Sequence, residues 1–278
     1  MATGTIMATR ASLILSLILP ILILTGCASK RWAEPLEEEE HLEISTLIGK
    51  MQSDKQSCPK NLDAETIIHW ESMAGNSAVN GYLQLQSPSS LKYVVTNPLG
   101  MLHYAFASDS RSFQILDTGK RQHIRGNLHN LAIRRELPPV LVHGNWFAYL
   151  TGNLPSPPPK VEKTSRDILN QTVWAKLSKP ASDRTSDEQW VNIDITEEKV
   201  LGYLFLDRNG KTVAEISYEK QGEEQGKCIG TKKTIRITNL PWGTEVKIEL
   251  QDIRTDTLYT HSDFTLPVPA GYFKQLQP

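Results

Sequence analysis

The chain has 278 residues, 39% of them hydrophobic and 7% aromatic, with 30 Lys and Arg against 31 Asp and Glu. A net charge of −1 leaves no basic excess for phosphates to find, which argues against a nucleic-acid partner. Composition and length suit one β-rich domain plus a tether, or two small domains, rather than a membrane-embedded protein.

Near the N-terminus, Arg10 precedes an apolar stretch from Ser12 to Leu24. Its 13 residues fit the core of an export signal and fall short of the ~20 that a spanning helix needs. The stretch closes on Leu24-Thr25-Gly26-Cys27, the Leu-small-Gly-Cys pattern at which bacterial lipoproteins acquire lipid. Residues 1–26 are therefore expected to be a signal peptide, and Cys27 the acylated first residue of the mature protein. Two or more acyl chains hold a protein stably, at about 0.8 kcal/mol per buried methylene. Removal of residues 1–26 takes away Arg10 and no acid, leaving 29 Lys and Arg against 31 Asp and Glu, net −2. Ala28-Ser29-Lys30 follow, with no Asp beside the Cys. By resemblance to lipoprotein sorting in diderm bacteria, that places the anchor in the outer membrane, facing the periplasm. Cys58 and Cys228 remain for an oxidising compartment, where an even pair reads as a disulfide; one buried and one exposed thiol is the alternative.

Residues 27–62 read as the lipidated Cys and a tether with one helix. Glu37 to Glu40 suit a helix start, and Ile44, Leu47, Ile48 and Met51 recur at helical spacing. From Asp63 the period changes to two, opening a domain expected over 63–278. Strands are predicted over 64–71, 78–86, 91–96, 101–107, 113–116 and 122–124, with turns at Ala74-Gly75-Asn76, Asn97-Pro98-Leu99-Gly100 and Asp117-Thr118-Gly119-Lys120. A helical lid over 127–154 interrupts this meander. Asn127 caps a short helix, Pro138-Pro139 stops it, and Val142, Trp146 and Leu150 at i, i+4, i+8 form a second one ending at Gly152. Further strands follow over 172–177, 190–195, 200–206, 212–218, 234–238 and 245–250, with a polar insert at 219–233. The fold expected is mainly β with inserted helices: a curled antiparallel sheet of about eleven strands, an incomplete β-barrel, under a helical lid.

Motifs for catalysis are missing. The seven histidines form no metal-ligand spacing, and no nucleophile elbow, phosphate loop or dinucleotide fingerprint occurs. Neither an enzyme, a metal nor a cofactor is expected.

Leu91-Lys92-Tyr93-Val94-Val95-Thr96-Asn97-Pro98-Leu99-Gly100 resembles the signature loop of the LolB family, outer-membrane receptors that take lipoproteins from a periplasmic carrier. The order that follows is similar too: two strands, a turn, a helix, Pro138-Pro139, then Trp146-Phe147-Ala148-Tyr149-Leu150-Thr151-Gly152-Asn153-Leu154-Pro155. The resemblance covers about residues 77–155 and includes the lipid-bearing Cys. It implies an eleven-stranded incomplete barrel with helices plugging an apolar cavity, and Leu99 inserting into the membrane during delivery. The local chemistry agrees: Asn97-Pro98 sets a turn and Gly100 reverses the chain, leaving Leu99 at the apex; the alternative packs Leu99 under its own loop. Burying one Leu gives about 1.5–3 kcal/mol, enough for a transient touch.

Acyl chains must leave water at every stage, so a carrier offers an apolar concave face. Candidates for its lining are Leu141, Val142, Trp146, Phe147 and Leu150 on the lid, with Leu83, Leu85, Val94, Tyr104 and Phe106 on strands. Ordinary core packing is the alternative at each position. The function implied is an outer-membrane-anchored monomer that binds acyl chains in its half-barrel and delivers lipoproteins, with a LolA-like periplasmic carrier as partner. A lipid- or glycolipid-binding lipoprotein without handover, or a structural lipoprotein with a filled core, is the alternative.

Overall fold

A computed structural model describes residues 32–157, 159–168, 172–178, 187–219 and 228–277. Cys27 and the export signal lie outside the described residues, as does 220–227 of the polar insert. After β1 (Trp32–Pro35) and α1 (Glu38–Asp54) come β2 (Asn61–Ser72), β3 (Gly75–Gln86), β4 (Ser90–Thr96), β5 (Leu102–Ser108), β6 (Ser112–Asp117) and β7 (Gln122–Asn127). Helices α2 (Leu128–Arg135), α3 (Pro139–Val142) and α4 (Trp146–Thr151) follow. The chain then forms β8 (Val161–Asp167), β9 (Val173–Leu177), β10 (Glu188–Asp194), β11 (Lys199–Leu206), β12 (Thr212–Tyr218), β13 (Lys233–Thr238), β14 (Glu245–Arg254) and β15 (Phe273–Gln277).

All fifteen strands join one sheet in the order β1-β8-β9-β10-β11-β12-β13-β14-β2-β3-β4-β5-β6-β7-β15. The sheet curls without closing, so the incomplete barrel stands. Its fifteen strands exceed the about eleven expected: the twelve segments predicted above all form strands, and β1, β8 and β15 are additional. The last pair also departs from the antiparallel expectation, since β15 runs parallel to β7. A crossover explains this. The segment after β14 crosses the convex face, where Thr257 Oγ1 donates to Asp63 Oδ2 (2.6 Å), Gln86 Nε2 donates to the Tyr259 carbonyl (2.9 Å) and Lys92 Nζ donates to the Asp263 carbonyl (3.1 Å). A chain that returns over a face instead of through a hairpin arrives parallel.

Register assigns the two faces, because residues paired across strands point the same way. Leu62, Leu85 and Leu91 share the concave face with Ala64, Leu83, Tyr93 and Phe106. That face meets Ile44, Ile48 and Met51 of α1 and Phe147, Tyr149 and Leu150 of α4 in the main core. The helix expected within a tether is thus a core element: its i, i+4, i+7 stripe docks on the sheet, and each such burial gives about 1.5–3 kcal/mol. Two smaller clusters cover the convex face. Ala105, Ala107 and Leu116 lie under Leu266, and Trp174, Trp190, Leu204 and Leu206 lie under Trp32, whose ring stacks on Trp190 at 4.4 Å.

The two ends of the sheet differ. At one, which we call the sealed end, sit the α1–β2 connection, the helices and the Cys58–Cys228 disulfide, with Cα atoms 5.4 Å apart. Closing a loop of 170 residues removes unfolded-chain entropy equivalent to about 5 kcal/mol. The other is the hairpin end. It carries the β2–β3, β4–β5, β6–β7, β11–β12 and β13–β14 connections and the first residue of β15.

Candidate functional site

The lid is three helices where two were expected. Gly144 and Asn145 break the second: a Cβ at Gly144 would lie 2.4 Å from both the Val140 carbonyl and the Tyr149 ring, and Asn145 Oδ1 caps α4 by accepting from the Ala148 N–H at 2.9 Å. The sheet grips the start of α4 as well, through Ser89 Oγ donating to the Gly144 carbonyl (2.7 Å) and the Phe147 N–H donating to the Pro88 carbonyl (3.1 Å). At its other end Gly152 takes a left-handed conformation (φ 67°), and three carbonyls find donors. Tyr218 Oη donates to Tyr149 at 2.7 Å, Lys233 Nζ to Thr151 at 2.7 Å, and Tyr203 Oη to Asn153. A cation at a helix C-terminus is favourable for the dipole too. Burial holds both tyrosine hydroxyls far above their ordinary pKa, so they remain neutral donors.

This latch fastens a plug. Tyr149 packs its ring edge-on to Tyr203 (5.1 Å) and Phe205 (5.4 Å), both fully buried on the concave face of β11. Of the expected lining residues, Leu83, Leu85, Leu141, Phe147 and Leu150 are buried in protein, while Val142 and Trp146 are half-buried. A pocket of about 210 Å³ opens at the sealed end, lined by Met51, Phe147, Leu154 and Val200 with Lys55 and Lys60. Small-molecule pockets run from about 300 to 1,000 Å³. Over β8–β14 the concave face is covered by the protein's own side chains, as the burial of Val191, Ile193, Tyr203, Phe205, Ile235 and Leu250 in the main core shows.

Over β3–β7 the cover is partial: Leu83, Leu85, Tyr93 and Phe113 are buried on that face, and the rest of it is not. Val79, Val95, Tyr104, Phe106, Ile115 and Ile124 share the concave face by register, and each is only half-buried. Tyr93 sits beside them, its ring laid against Gly81, where a Cβ would come within 2.6 Å of a ring carbon. Its hydroxyl donates to the Val79 carbonyl at 3.2 Å, and burial pushes its pKa up to about 12. Tyr104 is raised by burial first and then by the Asp117 carboxylate. Val94, expected in the lining, belongs elsewhere: it pairs with Tyr82 and Ala105 and packs on the convex face with Ala107 and Leu116. A one-residue step along a strand reverses the face.

Leu99 stands 82% exposed at the tip of the β4–β5 connection. The tip is rigidly built. Asn97 Oδ1 accepts from the Leu99 and Met101 N–H groups (3.0 Å each), the Gly100 N–H donates to the Asn97 carbonyl (2.8 Å), and Gly100 adopts φ 77°. Sequence reading missed the latch residues Tyr203, Tyr218 and Lys233, whose roles depend on distant pairing, and it missed the exposed Met73 and Phe273 at the same end as Leu99. Among the described residues no cluster of His, Cys, Asp and Glu could hold a metal, and no helix is long and apolar enough to cross a membrane.

No family model matches the chain, and no curated protein matches it by sequence. Solved structures do. An outer membrane lipoprotein-sorting protein domain from Vibrio parahaemolyticus superposes with a TM-score of 0.56 at 14% identity, covering 82% of this chain and 97% of its own. A LolA superfamily protein from Nitrosomonas europaea gives 0.55 at 12% identity, covering 80% and 97%. A DUF1329 family protein from Desulfovibrio piger gives 0.52 at 11%, covering 84% and 98%. At such identities the likeness concerns the fold, which is of the LolA/LolB type.

Proposed function

We propose that this chain is a lipoprotein, anchored through Cys27 to the periplasmic face of the outer membrane, that receives acyl chains on its concave face and passes acylated cargo to the bilayer. One observation carries the reading: a half-covered apolar stripe, Val79 to Ile124, runs beside the rigid, exposed Leu99 tip in a sheet of the LolA/LolB type. Water contact makes that stripe a place where a fatty chain gains free energy on arrival. In this reading a soluble LolA-like protein brings the cargo, and α4 is the element that moves when more of the hollow is needed. The filled half favours a second reading, a lipid-binding or structural lipoprotein that hands nothing over.

Titration of the purified full chain with an acylated peptide bearing a fluorescent fatty chain tests the first step. Saturable binding is expected, weakened at least tenfold by Phe106→Asp, since burial of such a side chain is worth about 1.5–3 kcal/mol. Absence of binding rejects the carrier. Transfer to vesicles tests the second step: Leu99→Glu keeps binding and stops transfer, and normal transfer by this variant rejects the role of Leu99 in delivery.

A further inference from the structure

Leu99 is not alone at the hairpin end. Met73, 92% exposed, tops the β2–β3 hairpin; Met101 and Leu102 follow Leu99; and Phe273, 68% exposed, begins β15. In the order β2-β3-β4-β5-β6-β7-β15 these positions are neighbours, with the β6–β7 turn between Leu102 and Phe273. Hydrogen bonds join them, from Thr118 Oγ1 to the Leu102 carbonyl (3.0 Å) and from the Phe273 N–H to the Arg121 carbonyl (2.9 Å). That turn exposes two cations, Arg121 and Lys120, the latter 3.5 Å from the Asp117 carboxylate. The β11–β12 turn at the same end is polar throughout, Asp207-Arg208-Asn209-Gly210-Lys211. Among the described side chains at this end, the exposed large apolar ones, Met73, Leu99, Met101, Leu102 and Phe273, lie over the half of the sheet whose concave face is open.

We propose that Met73, Leu99, Met101 and Phe273, with Lys120 and Arg121 among them, form a docking rim for a bilayer that carries anionic headgroups. Successive hairpin tips lie about two strand spacings apart, roughly 10 Å. Separate points of that kind offer a protein partner no continuous face, whereas a fluid interface admits each independently. The cations complement lipid phosphates, and the fixed Asn97 turn presents Leu99 without further ordering. The rim rests on the proposed function insofar as it sets the open stripe beside the membrane, yet it is measurable without cargo.

The test uses the full chain in phosphatidylcholine vesicles, with or without phosphatidylglycerol, and a nitroxide at one of Met73→Cys, Leu99→Cys, Phe273→Cys or Asn209→Cys. Labels at 73, 99 and 273 are expected to be reached by oxygen and shielded from an aqueous nickel complex, while the label at 209 stays aqueous. Phosphatidylglycerol should raise the immersed fraction, and Lys120→Gln and Arg121→Gln should each remove about fivefold of that gain. Aqueous labels at 73 and 273 beside an immersed 99 overturn the rim in favour of one leucine. Labels immobilised without oxygen access overturn it in favour of a protein or a second copy, and an unchanged lipid dependence in the charge variants removes the anionic specificity. Acyl-chain binding with a dry rim counts against the rim alone; an immersed rim without acyl-chain binding counts against the carrier alone.

Discussion

Two halves of one sheet treat the same problem in opposite ways. Strands β8–β14 bury their concave face under α1 and α4, with Tyr203, Phe205, Val191 and Ile193 wholly excluded from water. Strands β3–β7 bury Leu83, Leu85, Tyr93 and Phe113 of theirs, leave the rest, from Val79 to Ile124, half-covered, and end in bare apolar tips. The difference teaches how a small domain combines rigidity with a greasy surface: one half supplies the folding free energy, and the other is free to stay unfilled. Regions with fewer buried apolar contacts are also where local opening is cheapest.

The largest effect that can break this comparison is a cavity. Phe205→Ala in the filled half should cost about 3–5 kcal/mol in denaturant unfolding, because its packed surroundings cannot collapse onto the gap. Phe106→Ala, on the half-covered face, should cost less than half as much. Equal losses would mean that both halves are ordinary core and that the stripe is no site.

A smaller effect sharpens the contrast at the latch. Lys233→Met removes a charged donor from the Thr151 carbonyl and should destabilise the fold by about 1.5–3 kcal/mol. The loss should be local. Amide hydrogen exchange over 146–153 should accelerate more than over β10 and β11. Uniform acceleration would show α4 to be an inseparable part of the core rather than a movable plug.

Much of this was legible in the chain, and what was not has a physical cause. Turns written in local chemistry, Asn97-Pro98-Leu99-Gly100 and Asp117-Thr118-Gly119-Lys120, stand where expected, as does the Asn127 cap, whose Oδ1 accepts from the His129 N–H at 2.8 Å. The face of Val94 was illegible because Tyr93-Val94-Val95 is apolar without alternation, and Val94 can be apolar on the back because the segment after β14 covers it. The helical stripe of α1 was legible while its docking was not, since Ile44 and Met51 read the same on a tether as on a core. β15 escaped notice because a parallel edge pair is made by a crossover, which leaves no turn signal.

The smallest expected effect lies on the convex side of the open half. His123 is buried on β7 with Nε2 lacking a hydrogen-bond partner among the described residues. Burial first, then Arg125 and Lys274, lower its pKa below the ordinary 6.5. The folded state therefore binds the proton less readily than the unfolded chain. Stability from this group is complete above pH 6.5 and drains away as the pH falls from there through the lowered value. His123→Gln should flatten the acid limb of the stability profile without moving the neutral plateau by a comparable amount. Hydrogen exchange measured as the pH falls should therefore show β5–β7 loosening before β10 and β11. Simultaneous loosening of both halves would mean that the sheet opens as one unit and that the division drawn between them has no energetic meaning.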